Sequence, residues 1–397
     1  MKQLIALIVL LYHTAVFAQA PKTAILFKLQ GHSDDLECMA ISGNGKLIAS
    51  GSWDGIVNLF STDSNYTPLA TFSDHFSAVN CIAFTNNGKT IVTAGNDGKI
   101  FTYVIDSFGI ISKDKSTSLH RMSINAVSID PGGKFVYTGS NDGTMIQYEL
   151  AKNKERKINN TNPISSIAVG SDRKTIYCSD NTSTIKKYDM LNVNIPVVSY
   201  EGHTDQVNCI VLSKDNKFLV SASSDKTIKI WNTQTSKLEK TLIGHDWKVL
   251  TVAISANGKY IVSGSNDGST KLWDLETGKE LRSIDDIGTN VRGVGFSNDN
   301  SRIYTAMNYP VDSFETKGII AIASGIEKPK KDPPKMPAQK TSLKGVAPKG
   351  MPIKKNEPKA DSTISKELIK KTDALEISEE KKKTPDQNTN ENKSDRK

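Results

Sequence analysis

Apolar and polar residues alternate in short bursts along most of this chain. The runs VNCIAF at 79–84, TIVTAG at 90–95 and IKIWN at 228–232 place apolar side chains at nearly every second position. A period of two sends successive side chains to opposite faces of a strand, so these runs predict β-strands rather than helices. Asp-Gly pairs punctuate them at Asp54-Gly55, Asp97-Gly98, Asp142-Gly143 and Asp267-Gly268. That dipeptide accepts the backbone angles of a tight hairpin.

The strands recur as a unit. One apolar anchor per unit (Met39, Ile82, Val127, Ile167, Ile210, Val252 and Val294) gives spacings of 43, 45, 40, 43, 42 and 42 residues. Each unit has room for four strands of about five residues. A lone unit could not bury both faces of its sheet, so the units must stack on one another. The two best-preserved copies read GHTDQVNCIVLSKDNKFLVSASSDKTIKIWN, from Gly202, and GHDWKVLTVAISANGKYIVSGSNDGSTKLWD, from Gly244.

The period, the Gly-His opening and the Trp-Asp or Trp-Asn ending resemble the WD-repeat family over about residues 24–323. The resemblance implies four-stranded blades set radially around a channel. The expected fold is all-β, a seven-bladed β-propeller over residues 23–325. A strand-like run, Thr23 to Leu29, precedes the first Gly-His, and the last unit stops after its third strand, Gly318 to Ala323. The N-terminal run is therefore expected to supply the outer strand of the seventh blade. Three departures stand out. Phe60, Tyr103, Tyr148 and Tyr188 occupy the Trp position of units one to four. Unit four lacks the Gly-His and carries Thr182 where Asp is expected. Unit seven contains an insertion, Asn308 to Lys317.

Both flanks differ from the repeat. Residues 1–20 combine Lys2, an apolar run from Leu4 to Leu11, and small residues at Ala18 and Ala20, with cleavage expected after Ala18. This is the layout of a secretory signal peptide. The apolar run is short for a membrane span, which needs about 20 residues. It predicts export from a bacterial cell, to the periplasm or beyond, with no transmembrane span left after cleavage; a buried strand or uncleaved anchor is the alternative. Residues 327–397 hold 19 basic and 12 acidic side chains, whereas residues 21–326 hold 31 of each. The net charge of +8 thus resides almost wholly in the tail. Its Lys-, Pro- and Asn-rich, aromatic-poor composition predicts disorder over residues 326–397. The tail reads either as a solvated spacer or as an electrostatic tether to an anionic envelope polymer. Without aromatic interleaving, nucleic acid is not an expected partner.

Recurring His, Ser or Thr, and Asp suggest catalysis at first sight. Unit five has His203, Ser221, Asp225 and Trp231; unit six has His245, Ser263, Asp267 and Trp273. Units one to three offer His32, Ser50, Asp54; His75, Thr93, Asp97; and His120, Thr138, Asp142. A Ser-His-Asp set can perform acyl transfer, but catalysis needs one set and here five occupy equivalent positions. The resemblance implies instead a buried hydrogen-bonded tetrad within each blade. Cys38, Cys81 and Cys209 share a slot held elsewhere by Ala126, Ser166, Thr251 and Gly293. With Cys178 and no C-x-x-C pair, they are expected to be free thiols. No metal or cofactor is expected. No His pair has zinc spacing, and Gly88-Lys89-Thr90 lacks the glycine that would open a phosphate loop.

The resemblance also implies docking on the face around the channel. One slot there precedes the tetrad Asp: Trp53, Asn96, Asn141, Asn181, Ser224 and Asn266. The other follows the first apolar residue of the inner strand: Glu37, Asn80, Asn125, Ser165, Asn208, Leu250 and Arg292. Amide side chains donate and accept hydrogen bonds, which suits a peptide backbone or a sugar. Asn before Asp-Gly equally serves the turn, and both readings stay open. Trp53 is the expected anchor, since Trp is enriched at binding hot spots, and Trp247 is a second exposed aromatic. The expected function is a non-catalytic protein–protein interaction scaffold on a monomeric propeller. A carbohydrate- or peptidoglycan-binding module is the alternative, and a propeller hydrolase a third reading.

Overall fold

The computed structural model describes residues 25–63, 66–106, 109–160, 162–193, 195–285, 289–308 and 317–323. The expected leader at 1–18, the tail at 326–397 and most of the insertion after Asn308 lie outside them. Among the described residues every regular element is a strand. Six antiparallel sheets are each built from four consecutive strands hydrogen-bonded in chain order. Their inner strands are Leu36–Ile41, Val79–Phe84, Ile124–Ile129, Ile164–Val169, Val207–Leu212 and Val249–Ile254. These sheets are blades one to six.

The seventh sheet mixes the two ends of the chain. Thr289–Phe296, Arg302–Asn308 and Lys317–Ala323 follow in order, and the N-terminal strand Ile25–His32 completes the outer edge. It runs antiparallel to the last strand, with Lys28 opposite Ile320 and Gln30 opposite Gly318. Each inner strand touches the next in a closed cycle, and blade seven meets blade one. The architecture is a β-propeller, and its inner strands line the channel.

Period-two alternation builds the core between the blades. In blade six Ile261 and Trp273 pack against blade five, while their sequence neighbours Val262 and Leu272 pack against blade seven. Seven apolar clusters result, one at each interface around the ring. The blades approach so closely that the second strand needs a small residue beside the next blade. A Cβ at Gly139 would lie 2.4 Å from Ile164 Cγ2, and one at Gly264 would lie 2.3 Å from Val291 Cγ1. Both distances are below any tolerated carbon–carbon approach, so a knob on one blade fills a gap that only glycine leaves.

Ile48 is fully buried in the cluster between blades seven and one. Its replacement by Ala is expected to lower the unfolding free energy by about 2–5 kcal/mol in urea titrations. Ile243→Ala, at a side chain 77% exposed, should change it by less than about 0.5 kcal/mol.

Candidate functional site at the channel mouth

Every inner strand carries an irregularity in the same place, and that of blade seven has a second one between Thr289 and Val291. Register slips between Leu36 and Cys38, Val79 and Cys81, Ile124 and Ala126, Ile164 and Ser166, Val207 and Cys209, Val249 and Thr251, and Val291 and Gly293. The skipped residues are Glu37, Asn80, Asn125, Ser165, Asn208, Leu250 and Arg292. A bulge leaves one residue out of the ladder and re-aims its side chain. All seven line one cavity of about 450 Å³ at the channel mouth, together with Trp53 and Asn96. The structure thus brings the sequence-predicted inner ring together.

The amides there are not free to do everything the sequence suggested. Asn80 donates through Nδ2 to Asn96 Oδ1 at 2.7 Å and to the Ile124 carbonyl of the next blade at 2.9 Å. Asn125 repeats this with Asn141 at 2.6 Å and the Ile164 carbonyl at 3.0 Å. Asn208 donates to Ser224 at 3.1 Å and the Val249 carbonyl at 2.8 Å. In blade four the Ser165 hydroxyl bonds the Val207 carbonyl at 2.7 Å and meets Ser179, so Asn181 is not its partner. An amide NH2 has two protons, and both are occupied in each of these Asn. In these three Asn the NH2 groups clamp blade to blade, and the Asn208 Oδ1 in turn accepts from the Ser224 hydroxyl at 3.4 Å.

The clamp breaks where the ring closes. Leu250 has no donor for blade seven, and the Asn266 Oδ1 beside it is buried without a hydrogen bond. Between blades seven and one Arg292 Nη1 contacts Glu37 Oε1 at 3.3 Å, and the Trp53 indole N–H donates to Glu37 Oε2 at 2.9 Å. Asn308 occupies the turn slot of blade seven, and its Oδ1 accepts the Leu36 N–H at 2.7 Å. The sequence reading counted it only as the start of an insertion.

Large apolar side chains crowd the rim on this face. Trp53 is 56% exposed, Phe76 87%, Met122 52% and Trp247 63%. Phe76 and Met122 were missed. They stand just after His75 and two after His120, in the loops that carry the tetrad histidines. Comparing those loops would have found Phe76, because the same slot holds Ser33, Arg121, Thr204 and Asp246 in other blades. The turn at Gly55 packs on the carbonyls of His75 and Ser77, and the turn at Gly98 on those of His120 and Met122. Trp53, Phe76 and Met122 therefore stand on neighbouring turns and loops of blades one to three.

Beneath the rim lie the His networks. In blade five His203 Nδ1 meets Asp225 at 2.7 Å, the Ser221 hydroxyl meets His203 Nε2 at 2.7 Å, and the Trp231 indole N–H donates to Ser221 at 2.8 Å. Blade six repeats this with His245, Asp267, Ser263 and Trp273. Blades one to three keep the His, hydroxyl and Asp contacts. The Tyr residues leave the set: Tyr103 donates to Asp74 at 2.9 Å and Tyr148 to Asn153 at 3.0 Å. Blade four substitutes another network. Asn160 fills the His slot and Cys178 the hydroxyl slot, and buried Asp180, two residues before Thr182, supplies the carboxylate. Asp180 accepts from Asn160 at 3.1 Å and Lys186 at 2.7 Å, and Tyr188 donates to Asn160 Oδ1 at 3.0 Å.

Burial pushes the Asp225 and Asp267 carboxyls up, but hydrogen bonds from His203 and Thr227, and from His245 and Ser269, outweigh it. Both sit well below the usual carboxylate range. Burial also drives the imidazoles of His32 and His120 below their ordinary value, against the pull of Asp54 and Asp142. All four cysteines are free. Burial raises every thiol, Cys178 to about 12, so none is a poised nucleophile. Among the described residues no group of three or more His, Cys, Asp or Glu is placed to hold a metal ion, and no helix is long and apolar enough to cross a membrane.

Two outcomes follow from these shifts. A depressed folded-state pKa gives stability that is present above the unfolded pKa and lost as pH falls through the folded one. Thermal stability should therefore decline below about pH 6.5 as His32 and His120 take up protons, and again below about pH 4 as the Asp carboxylates do. Calorimetry against pH checks this, and His120→Asn should flatten the upper limb. His203→Ala or Asp225→Ala should cost about 1–3 kcal/mol at neutral pH by orphaning buried partners. The buried Cys178 thiol should react with an aromatic disulfide reagent at pH 8 only after unfolding in denaturant, as followed by absorbance in a chain whose other three cysteines are replaced by Ala.

Comparison with known proteins agrees with the geometry. The family model "WD domain, G-beta repeat" matches residues 24–61, 66–103, 113–149, 194–232 and 236–274. Blades four and seven, the least regular, supply none of these matches in full. "Target of rapamycin complex subunit LST8-1" of Arabidopsis thaliana is 34% identical over 88 residues, 21% of this chain and 29% of that protein. "Target of rapamycin complex subunit wat1" of Schizosaccharomyces pombe is 36% identical over 77 residues, 18% of this chain and 24% of that protein. "Pre-mRNA-splicing factor PRP46" of Candida glabrata is 50% identical over 46 residues, 11% of each. The matched segments span less than a third of each relative's length. With its repeat, its blades and its buried His networks in place, the chain belongs to the WD-repeat β-propeller family.

Proposed function

We propose that this protein is a non-catalytic interaction platform whose protein partner docks on the face bearing the His loops, over the channel mouth. The observation that carries the reading is the exposed set of Trp53, Phe76 and Met122 beside a polar cavity. Contiguous exposed apolar side chains rimmed by polar groups mark interaction sites, and aromatic anchors dominate binding energy. Two of the relatives are named as subunits of a complex, which supports the same reading. The His networks argue for structure over catalysis, because they recur in five blades and are buried. A carbohydrate-binding role is less favoured, because the NH2 groups of Asn80, Asn125 and Asn208 that would donate to sugar oxygens are occupied within and between blades.

Export completes the proposal and rests on residues 1–18 alone. The surplus of basic residues in the tail supports an electrostatic tether to an anionic envelope polymer as a secondary attachment.

The test is capture from envelope and secreted fractions by the full chain and its variants. Trp53→Ala and Phe76→Ala should each reduce capture of a discrete partner by tenfold or more, with melting temperatures within about 2 °C of the parent. Capture that both variants retain, but that disappears with residues 327–397 or at high salt, would place binding in the tail and overturn the platform reading.

A further inference from the structure

We propose that the face opposite the His loops binds an anionic lipid surface, with the blade-four loop 190–197 entering the bilayer interface and the lysines of the short turns meeting the headgroups. Chain direction divides the connections between two faces. The His loops and the turns between second and third strands share one end of the blades, where His–Asp contacts tie them together. The turns between first and second strands, and the loops between third and fourth, share the other end. There the Lys89 carbonyl accepts the Ile105 N–H at 2.8 Å, and the Lys259 carbonyl accepts the Leu275 N–H at 2.8 Å. Charge separates along the same line. Among the described residues, the connections on the His face hold twelve Asp or Glu and three Lys or Arg. Those on the opposite face hold seven acidic and eleven basic residues. One slot supplies most of the excess. The last residue of the first turn is Lys46, Lys89, Lys134, Lys174, Lys217 or Lys259 in blades one to six, and all six are exposed. Seven such turns end the blades in a ring, so their cations are spread over one broad face rather than gathered in a cleft.

Charge alone would serve any polyanion, and the apolar loop decides for lipid. Residues 190–197 join the third and fourth strands of blade four on this same face. They form the longest of the six such loops, and they contain no charged residue. Leu191 is 86% exposed, Ile195 66% and Val197 60%. Cations hold the start of the loop. The Met190 N–H donates to the Lys174 carbonyl at 2.8 Å, and Arg156 Nη1 donates to the Met190 carbonyl at 2.9 Å. Binding at a bilayer interface grows with the apolar area that leaves water and with the attraction of Lys and Arg to anionic headgroups. This face offers both, side by side. A soluble polyanion has no apolar phase, so it would use the lysines and leave Leu191, Ile195 and Val197 in water.

The experiment is flotation of the full chain with phosphatidylcholine vesicles containing about one-third phosphatidylglycerol, against vesicles of phosphatidylcholine alone, at moderate salt. The anionic vesicles should carry at least tenfold more protein. Leu191→Ser combined with Ile195→Ser should weaken that binding about tenfold. Lys89→Gln, Lys174→Gln and Lys259→Gln together should weaken it by a similar factor. All are exposed positions, so melting temperatures should stay within about 2 °C of the parent. Ile243→Ser, an exposed apolar position away from this face, should change nothing. Leu191→Trp adds a direct reporter: over the parent's emission, its fluorescence should move to shorter wavelength on anionic vesicles and be quenched by lipids brominated in the acyl chains. Ile243→Trp should show neither response. Equal binding to both vesicle types, binding that the loop and lysine variants both retain, or a Leu191→Trp signal that vesicles leave unmoved would each overturn the proposal. Loss in the lysine variants with full retention in Leu191→Ser/Ile195→Ser would mark a polyanion site and overturn the assignment to lipid.

Discussion

A four-stranded sheet with two apolar faces cannot be stable alone, and everything else in this structure depends on that constraint. Each blade must find a neighbour on both sides. A row of blades always leaves two faces bare, so the row has to become a ring. Ring closure requires the inner strands to converge, and convergence brings seven equivalent positions around one channel. The channel mouth is thus a by-product of burying Ile, Val and Trp side chains between sheets. Evolution can vary its chemistry one blade at a time at little cost to the core.

The polar networks show how such a fold separates stability from function. His, Ser and Asp in one hydrogen-bonded line look like a catalytic set, yet here the line runs inward from the rim and in blades five and six ends on a buried indole. Its task is to hold the hairpin turn of one strand pair against the loop that enters the blade. Blade four demonstrates the point by performing the same task with other residues. Lys186, Asp180, Asn160 and Tyr188 share no catalytic logic with His203, Ser221 and Asp225, but they lie in the corresponding part of their blade and satisfy one another.

The fold was largely legible in the sequence, because alternation and Asp-Gly turns are local signals and recur at a fixed spacing. The membership of the channel ring was legible for the same reason: an equivalent slot in a repeat is an equivalent place in space. Its chemistry was not. Nothing in the residue Asn125 shows that both its amide protons go to Asn141 and to Ile164, a residue of the next blade. Those bonds depend on the bulge that turns the side chain and on the distance between blades. Asp180 escaped notice because it lies two residues away from the slot where a carboxylate was sought. Phe76 escaped because an exposed aromatic carries no periodic signal. It is informative only beside the polar residues that fill its slot in other blades.

The pairing of the first strand with the last has a consequence for how the chain comes to be folded. Ile25–His32 leaves the ribosome before any blade exists, and its partner, Lys317–Ala323, is the last strand to appear. Six blades can form from local hairpins in order of synthesis, but the seventh waits for the longest loop in the molecule to close. Loop closure grows only slowly more costly with length, so the delay is set by synthesis rather than by entropy. During that interval the segment next to the N-terminus has no sheet to join. The ring is therefore the last thing to form, and its two ends meet only when the final strand has arrived.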